Sequence, residues 1–276
     1  MSNISWLDGY WLSDSEVELP IRDRGVTLGD GIFETILILK GTPQLLTNHL
    51  QRWTKSSILL GMEPPPKEET LIPLINEAII RASLSQKNGV LRLNWSRGSN
   101  QNRGINYLNK DHEAPNHRFW FELNEYNPSF TPISTKISCY ERRNANSRLS
   151  QCKTFSYLQS IQARSESQLH GYDDALLLST NGELSCGTTA NIIILRRNQW
   201  LTPRMESGCL PGVMREQGLK KGIIKEAKIS PTPKNDDQWI LINSLSCHPI
   251  TKVNNIDLKR YNNVEKLWRT LLIVNH

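Results

Sequence analysis

Two stretches of strict alternation constrain this fold most. Leu91, Leu93 and Trp95 alternate with Arg92 and Asn94, and Phe119, Phe121 and Leu123 take every second place further on. Successive side chains of a strand point to opposite faces, so this period marks half-buried strands of a sheet. Ile4-Ser5-Trp6-Leu7 and Tyr10-Trp11-Leu12 flank Asp8-Gly9, a two-residue hairpin signal. The β-rich run 32–39 ends at the turn Lys40-Gly41-Thr42-Pro43. Asn48 is expected to cap a helix reaching about Leu60, stopped by Gly61 and Pro64-Pro65-Pro66. Leu71, Ile75, Ala78, Ile79 and Ala82 then recur at helical spacing.

The Asn-, Pro-, Ser- and Thr-rich stretch 124–132 reads as a linker, dividing a domain 1–123 from a domain 133–276. In the second, a helix after Lys153 carries Leu158, Ile161 and Leu169 and ends at Gly171. Ala175-Leu176-Leu177-Leu178 reads as a buried strand that turns at Asn181-Gly182 toward Ile192-Ile193-Ile194-Leu195. Another helix is expected just after Pro211-Gly212, and a strand from Trp239 to Ile242. The outcome is a two-domain mixed α/β chain without the regular strand–helix alternation of a doubly wound sheet.

At 276 residues the chain is long enough to bury a sizeable core. Its net charge of +6 is spread out, with only doublets such as Lys220-Lys221 and Arg142-Arg143. Nucleic-acid binding needs clustered positive charge, so none is expected. An anionic cofactor and a dicarboxylate substrate suit the same balance. Five cysteines with no C-x-x-C pair argue against a disulfide framework and against a structural metal site. Asp8, Asp14, Glu16, Glu18 and Asp23 are wrong for a secretory signal, and no apolar run reaches the length of a membrane span. A soluble, cytoplasmic protein is expected.

Five segments carry chemistry: Gly29-Asp30-Gly31-Ile32-Phe33-Glu34-Thr35, Lys153, Gly187-Thr188-Thr189-Ala190-Asn191, Pro211-Gly212-Val213-Met214-Arg215 and Asn243-Ser244-Leu245. Their order and spacing resemble the fold type IV pyridoxal-phosphate (PLP) enzymes, the D-amino-acid and branched-chain aminotransferase type. Within that group they are most similar to the aminodeoxychorismate lyases. The resemblance covers nearly the whole chain. It implies a small N-terminal α/β domain and a larger C-terminal domain of barrel-like β structure. It also implies PLP in the cleft between them and a homodimer.

PLP chemistry needs one lysine whose amine can bond the cofactor's aldehyde. The bland reading of any lysine is a solvated surface residue, and the family pattern singles out Lys153. Tyr157, one turn on, matches the family's aromatic hydroxyl beside the ring oxygen, packing on the helix being its other reading. The phosphate needs fixed donors, typically a helix N-terminus with Arg and hydroxyl groups. Gly212 leaves room there, the amides of Val213 and Met214 point at the anion, and Ser244 adds a hydroxyl. Met214 and Asn243-Ser244-Leu245 are lyase-like. Arg52 resembles the family's phosphate-binding arginine, against a bland reading as a helix-surface charge; His49 reads as local packing. Arg97 and Arg103, on a Gly-containing loop, resemble the lyase loop that meets the substrate's carboxylates. Arg97 has a second reading, as a stabiliser of that loop. Asn100-Gln101-Asn102 stands where the family is usually Gly-rich, and Ile105 replaces a common Tyr.

Cys186 is the departure. Five residues before Asn191 the family places a glutamate that hydrogen-bonds the protonated pyridine nitrogen. Glu183 is three residues early, and an odd offset on a strand turns its side chain to the other face unless a bulge intervenes. A neutral thiol leaves the ring nitrogen unprotonated and weakens the electron sink. Transamination is expected to suffer most, and an elimination that ends in an aromatic ring less. The resemblance thus implies a lyase acting on 4-amino-4-deoxychorismate. The alternatives are an aminotransferase, or a PLP-binding homologue with little turnover.

Overall fold

The computed structural model describes residues 3–13, 16–99, 104–106 and 116–273. The chain forms two compact units, Met1–Asn127 with Lys153–Ser156, and Pro128–Cys152 with Tyr157–His276. No helix among the described residues is long and apolar enough to cross a membrane.

In the first unit, β1 (Ile4–Leu7), β2 (Tyr10–Leu12), β3 (Gly31–Leu39), β4 (Thr42–Pro43), β5 (Gly89–Ser96) and β6 (Arg118–Glu125) form one sheet. Its order is β2-β1-β6-β5-β3-β4, all antiparallel. The short α1 (Arg24–Leu28) precedes β3, and α2 (Leu46–Leu59) and α3 (Glu68–Arg81) lie between β4 and β5. The alternation read from sequence decides the faces. Ile32, Ile36, Ile38, Leu91, Leu93, Phe119, Phe121 and Leu123 bury one face in a single core with Trp53, Leu71 and Ile75 of the helices. The opposite face carries Phe33 across from Asn94, Thr35 across from Arg92, and Trp120 and Glu122 beside them. Helix α2 starts two residues before the expected Asn48 cap. Gln44 still pairs with Leu37, and Leu45 in the left-handed region (φ 52°) turns the chain straight into the helix.

The second unit holds β7 (Ile133–Arg143), α4 (Leu158–Leu169), β8 (Asp174–Ser179), β9 (Leu184–Gly187), β10 (Asn191–Arg196), β11 (Gln199–Pro203) and α5 (Val213–Lys220). Beyond them come β12 (Ile224–Ala227), β13 (Gln238–Ile242), β14 (Cys247–Val253), β15 (Ile256–Asp257) and α6 (Val264–Leu272). Strand order runs β12-β11-β10-β13-β14-β7-β8-β9, and β9 pairs again with β10. That last pairing closes β10, β13, β14, β7, β8 and β9 into a barrel-like sheet. Its core is Leu176, Leu178, Leu184, Ile192, Ile194, Trp239, Leu241 and Ile250. Glycine is needed at 187, where a Cβ would come within 2.8 Å of the Leu241 side chain.

The division between the units falls at Asn127 and Pro128, and the four residues that begin at Lys153 pack with the first unit. Strand β6 runs on to Glu125, two residues into the stretch read as a linker.

Candidate active site

Lys153 is delivered as a short strand on the edge of the first sheet. Phe33 N–H donates to Lys153 O and Phe155 N–H to Gly31 O, both at 2.9 Å, with an antiparallel bridge between Ile32 and Thr154. Phe155 stacks over Gly31, where a Cβ would come within 2.3 Å of its ring, so only glycine admits this crossing. The same ring packs on Trp120, at 5.5 Å between centroids. With its backbone pinned, Lys153 rests its Nζ 4.1 Å from the Phe33 ring centroid, on the face of the sheet away from the helices. The Arg92 guanidinium lies 3.8 Å from the same centroid.

On the other face, Glu34 takes a place that its neighbours Ile32 and Ile36 give to the core. It is 1% exposed. It accepts from Arg52 Nε at 2.8 Å and Nη2 at 2.5 Å, and lies 2.7 Å from His49 Nδ1. Burial alone would raise its pKa; the charge of Arg52 and the bonds from His49 and Arg52 outweigh that and hold it at about 2. Burial lowers the pKa of His49 against the pull of Glu34. The two bonds from one carboxylate fix the plane of the Arg52 guanidinium, as an arginine with an oxyanion to meet requires. His49 therefore packs as part of a buried charged cluster, and Glu34, quoted in the sequence reading without a role, is its centre. A carboxylate on an apolar strand face, with His49 and Arg52 one turn apart on a helix, is the signal that would have found it.

Arg97 takes the second of its two readings. It is 4% exposed, donating Nε to Asp30 at 2.9 Å, Nη1 to Gly61 O at 2.8 Å and Nη2 to Leu60 O at 2.9 Å. A guanidinium so engaged fastens the loop to the end of α2. Arg24 shares Asp30 and reaches the carbonyls of Gly104, Ile105 and Asn106. Arg103 lies outside the described residues.

In the second unit, Gly212 caps α5 with no side-chain cap bond. The first-turn amides of Val213 and Met214 have no acceptor within the helix, which makes this end suited to an anion. Asn191 donates Nδ2 to Leu210 O at 2.9 Å, and a Cβ on Gly212 would fall 1.9 Å from Asn191 Oδ1. Replacing Gly212 with alanine is therefore expected to weaken PLP binding about tenfold or more while the unit stays folded. A fluorescence titration of apoprotein with PLP checks it. Ser244 sits in a loop drawn together by Asn243 Oδ1, which accepts from Leu245 N–H, Ser246 N–H and Ser246 Oγ. Trp268 of α6 donates to Asn243 O at 3.0 Å. Tyr157 precedes α4 as its N-cap residue and is half-buried.

Cys186 pairs directly with Asn191 across β9 and β10, so both side chains share one face with the start of α5. Its thiol is buried with Ala163, Ala175, Leu177 and Cys209, and burial pushes its pKa up. A bulge does interrupt β9: Leu177 pairs with Cys186 and Leu178 with Leu184. Even so, Glu183 is held by Arg204 at 2.7 Å and lies 3.6 Å from Lys228, its pKa lowered chiefly by the Arg204 bond. It does not stand in for the missing carboxylate. Among the described residues no group of His, Cys, Asp and Glu could hold a metal ion.

The amino-transferase class IV profile matches residues 31–255. The chain belongs to the amino-transferase class IV family. Enzymes of this family are fold type IV and use PLP. The aminodeoxychorismate lyase of Bacillus subtilis is 22% identical over 260 residues, covering 91% of this chain and 87% of that protein. Branched-chain-amino-acid aminotransferase-like protein 2 of Arabidopsis thaliana is 25% identical over 268 residues, and the chain spans 46% of its length. The branched-chain aminotransferase of Thermoproteus uzoniensis, solved with norvaline, superposes with a TM-score of 0.82 at 21% identity, over 97% of this chain and 93% of that one. A hypothetical aminotransferase from Mycobacterium tuberculosis, in its PLP-bound form, gives 0.80 at 20% identity, covering 98% and 99%. Both structures share the fold of this chain.

Proposed function

We propose that this class IV chain is a PLP-dependent lyase that converts 4-amino-4-deoxychorismate to 4-aminobenzoate and pyruvate. The observation that carries the reading is the lyase-like pair of segments at Met214 and Asn243-Ser244-Leu245, together with the lyase relative that spans 91% of the chain. The thiol at 186, with Glu183 committed to Arg204, weighs against an efficient aminotransferase and does not itself favour the lyase.

Within the second unit, the uncapped start of α5 and Ser244 suit a phosphate and would hold it. Within the first, Lys153 would hold the aldehyde carbon, and Arg52 is the arginine that resembles the family's phosphate ligand. Bound PLP would supply an electron-withdrawing ring in conjugation with the substrate's amine. The Lys153 amine would take the proton from the amine-bearing ring carbon as general base. Loss of the neighbouring enolpyruvyl group leaves an aromatic ring. Cys186 gives no anion to hold a proton on the pyridine nitrogen, which matters least where aromatisation drives the reaction. A homodimer and a cytoplasmic location belong to the same reading.

Mixing the PLP-loaded protein with 4-amino-4-deoxychorismate is expected to release 4-aminobenzoate, and no release would reject the lyase. The aminotransferase reading draws on the branched-chain relatives. Under it, amino acids added without a keto acid would convert bound PLP to the pyridoxamine form; no such shift is expected. Cys186→Glu is expected to raise ring protonation, visible as a change in the bound-cofactor spectrum, with some gain in transamination. An unchanged spectrum contradicts the role given to residue 186.

A further inference from the structure

We propose that Arg143 is a cation without a counter-ion on the Cys186 face of the barrel-like sheet, and that its charge keeps the ring nitrogen of bound PLP unprotonated. This rests on residue 186 meeting that nitrogen, as the proposed function takes it.

Strand register puts the two residues on one face. Arg143 ends β7 and pairs with Ser179 of β8, and Leu177, two residues back on β8, pairs with Cys186 of β9. Side chains directly opposite across strands share a face, and so do residues two apart along a strand. Burial agrees. Ala175 and Leu177 pack with Cys186 and Cys209, while Leu176 and Leu178 fill the core on the other side. With β8 between them, β7 and β9 are about 10 Å apart, a span that a guanidinium on its long stem largely crosses. Arg143 donates Nε to Gly208 O at 3.1 Å and Nη2 to Ser150 O at 2.9 Å. Gly208 directly precedes Cys209, so the guanidinium is fixed beside the thiol cluster.

The charges around Cys186 do not cancel. Arg143, Asp174 and Cys209 are the titrating groups whose charge reaches its thiol. Asp174 is already neutralised: Arg164 donates Nη2 to it at 2.9 Å and Nε at 3.2 Å, and Thr188 Oγ1 donates at 2.6 Å. Burial pushes the Cys209 thiol up, which keeps it uncharged. Arg143 is half-buried, and its hydrogen-bond partners among the described residues are the two neutral carbonyls. What is left on this face is one positive charge. A glutamate at 186 would answer it; the cysteine does not. A nearby cation disfavours the protonated form of a basic nitrogen, so this face goes further than lacking a carboxylate and opposes the pyridinium outright.

The test loads the full chain with PLP labelled with nitrogen-15 in the ring and follows that resonance by NMR as pH is varied. In wild type the midpoint of ring protonation is expected below that of free PLP measured alongside. Arg143→Gln keeps an N–H donor for the carbonyls and removes the charge. It is expected to move the protonation equilibrium toward the pyridinium by about tenfold or more. Arg143→Lys keeps the charge and is expected to stay near wild type. A wild-type midpoint at or above that of free PLP overturns the proposal. So does an Arg143→Gln midpoint equal to wild type, or an Arg143→Lys midpoint moved as far as that of Arg143→Gln, which would mark a loss of shape rather than of charge. If Arg143→Gln does not hold PLP, the wild-type midpoint against free PLP decides alone. A raised midpoint in Arg143→Gln, with no 4-aminobenzoate released by wild type, upholds the role of Arg143 and rejects the lyase reading alone.

Discussion

Lys153→Ala is expected to lower turnover by at least about a thousandfold, measured as 4-aminobenzoate released per active site. Two losses combine. A positioned general base is worth roughly a hundred- to ten-thousandfold, and the covalent hold on the cofactor goes with it. The fold should survive, because the attachment to β3 is through the backbone of residues 153–155. Alanine preserves the Phe33 N–H to residue 153 carbonyl bond. An unchanged circular dichroism spectrum with lost turnover is the expected pair of results. Retained turnover would move the reactive amine to another residue.

Glu34→Ala carries the largest expected effect on stability. It strips the counter-charge from a largely covered Arg52 and a partner from the buried His49, and breaking a buried pair in this way costs about 3–5 kcal/mol. For a chain of this size that is a fall in melting temperature of roughly 10 °C. PLP affinity should drop too, since Arg52 loses what fixes its plane. The pH dependence has a definite sign. Glu34 titrates at about 2 in the fold against 4.5 for an ordinary glutamate. A depressed carboxylate stabilises fully above its unfolded value and loses that contribution as pH falls from about 5 to about 2, roughly 3 kcal/mol in all. His49, whose pKa burial lowers, acts in the same sense: its unfolded form gains a proton first as the solution is acidified. Denaturant titrations from pH 7 to pH 3 should therefore show wild type losing stability steeply and Glu34→Gln much less. Parallel curves would contradict the account of this cluster.

How far the sequence reached depends on what was local. The alternation at Leu91, Leu93 and Trp95 told which face of β5 is buried, and therefore that Arg92 and Asn94 face the other way. The helix start at Gly212 was legible because a Pro-Gly pair before a polar run is a local signal. What failed to show was non-local. Arg97 had two readings, ligand or loop stabiliser, and the sequence could not show that its Nη atoms meet carbonyls 36 and 37 residues away. Residues 153–155 looked like part of the second domain because they lie within 133–276, but their hydrogen bonds go to Gly31 and Phe33. Glu34 hid inside a familiar motif. Only the folded chain shows that it turns inward among isoleucines to meet α2.

Reduction of the PLP-loaded protein with borohydride, followed by peptide mass spectrometry, is the most direct test. The expected result is a single phosphopyridoxyl adduct on the peptide that contains Lys153, absent from Lys153→Ala. An adduct on another lysine, or none at saturating cofactor, would contradict the active site described above.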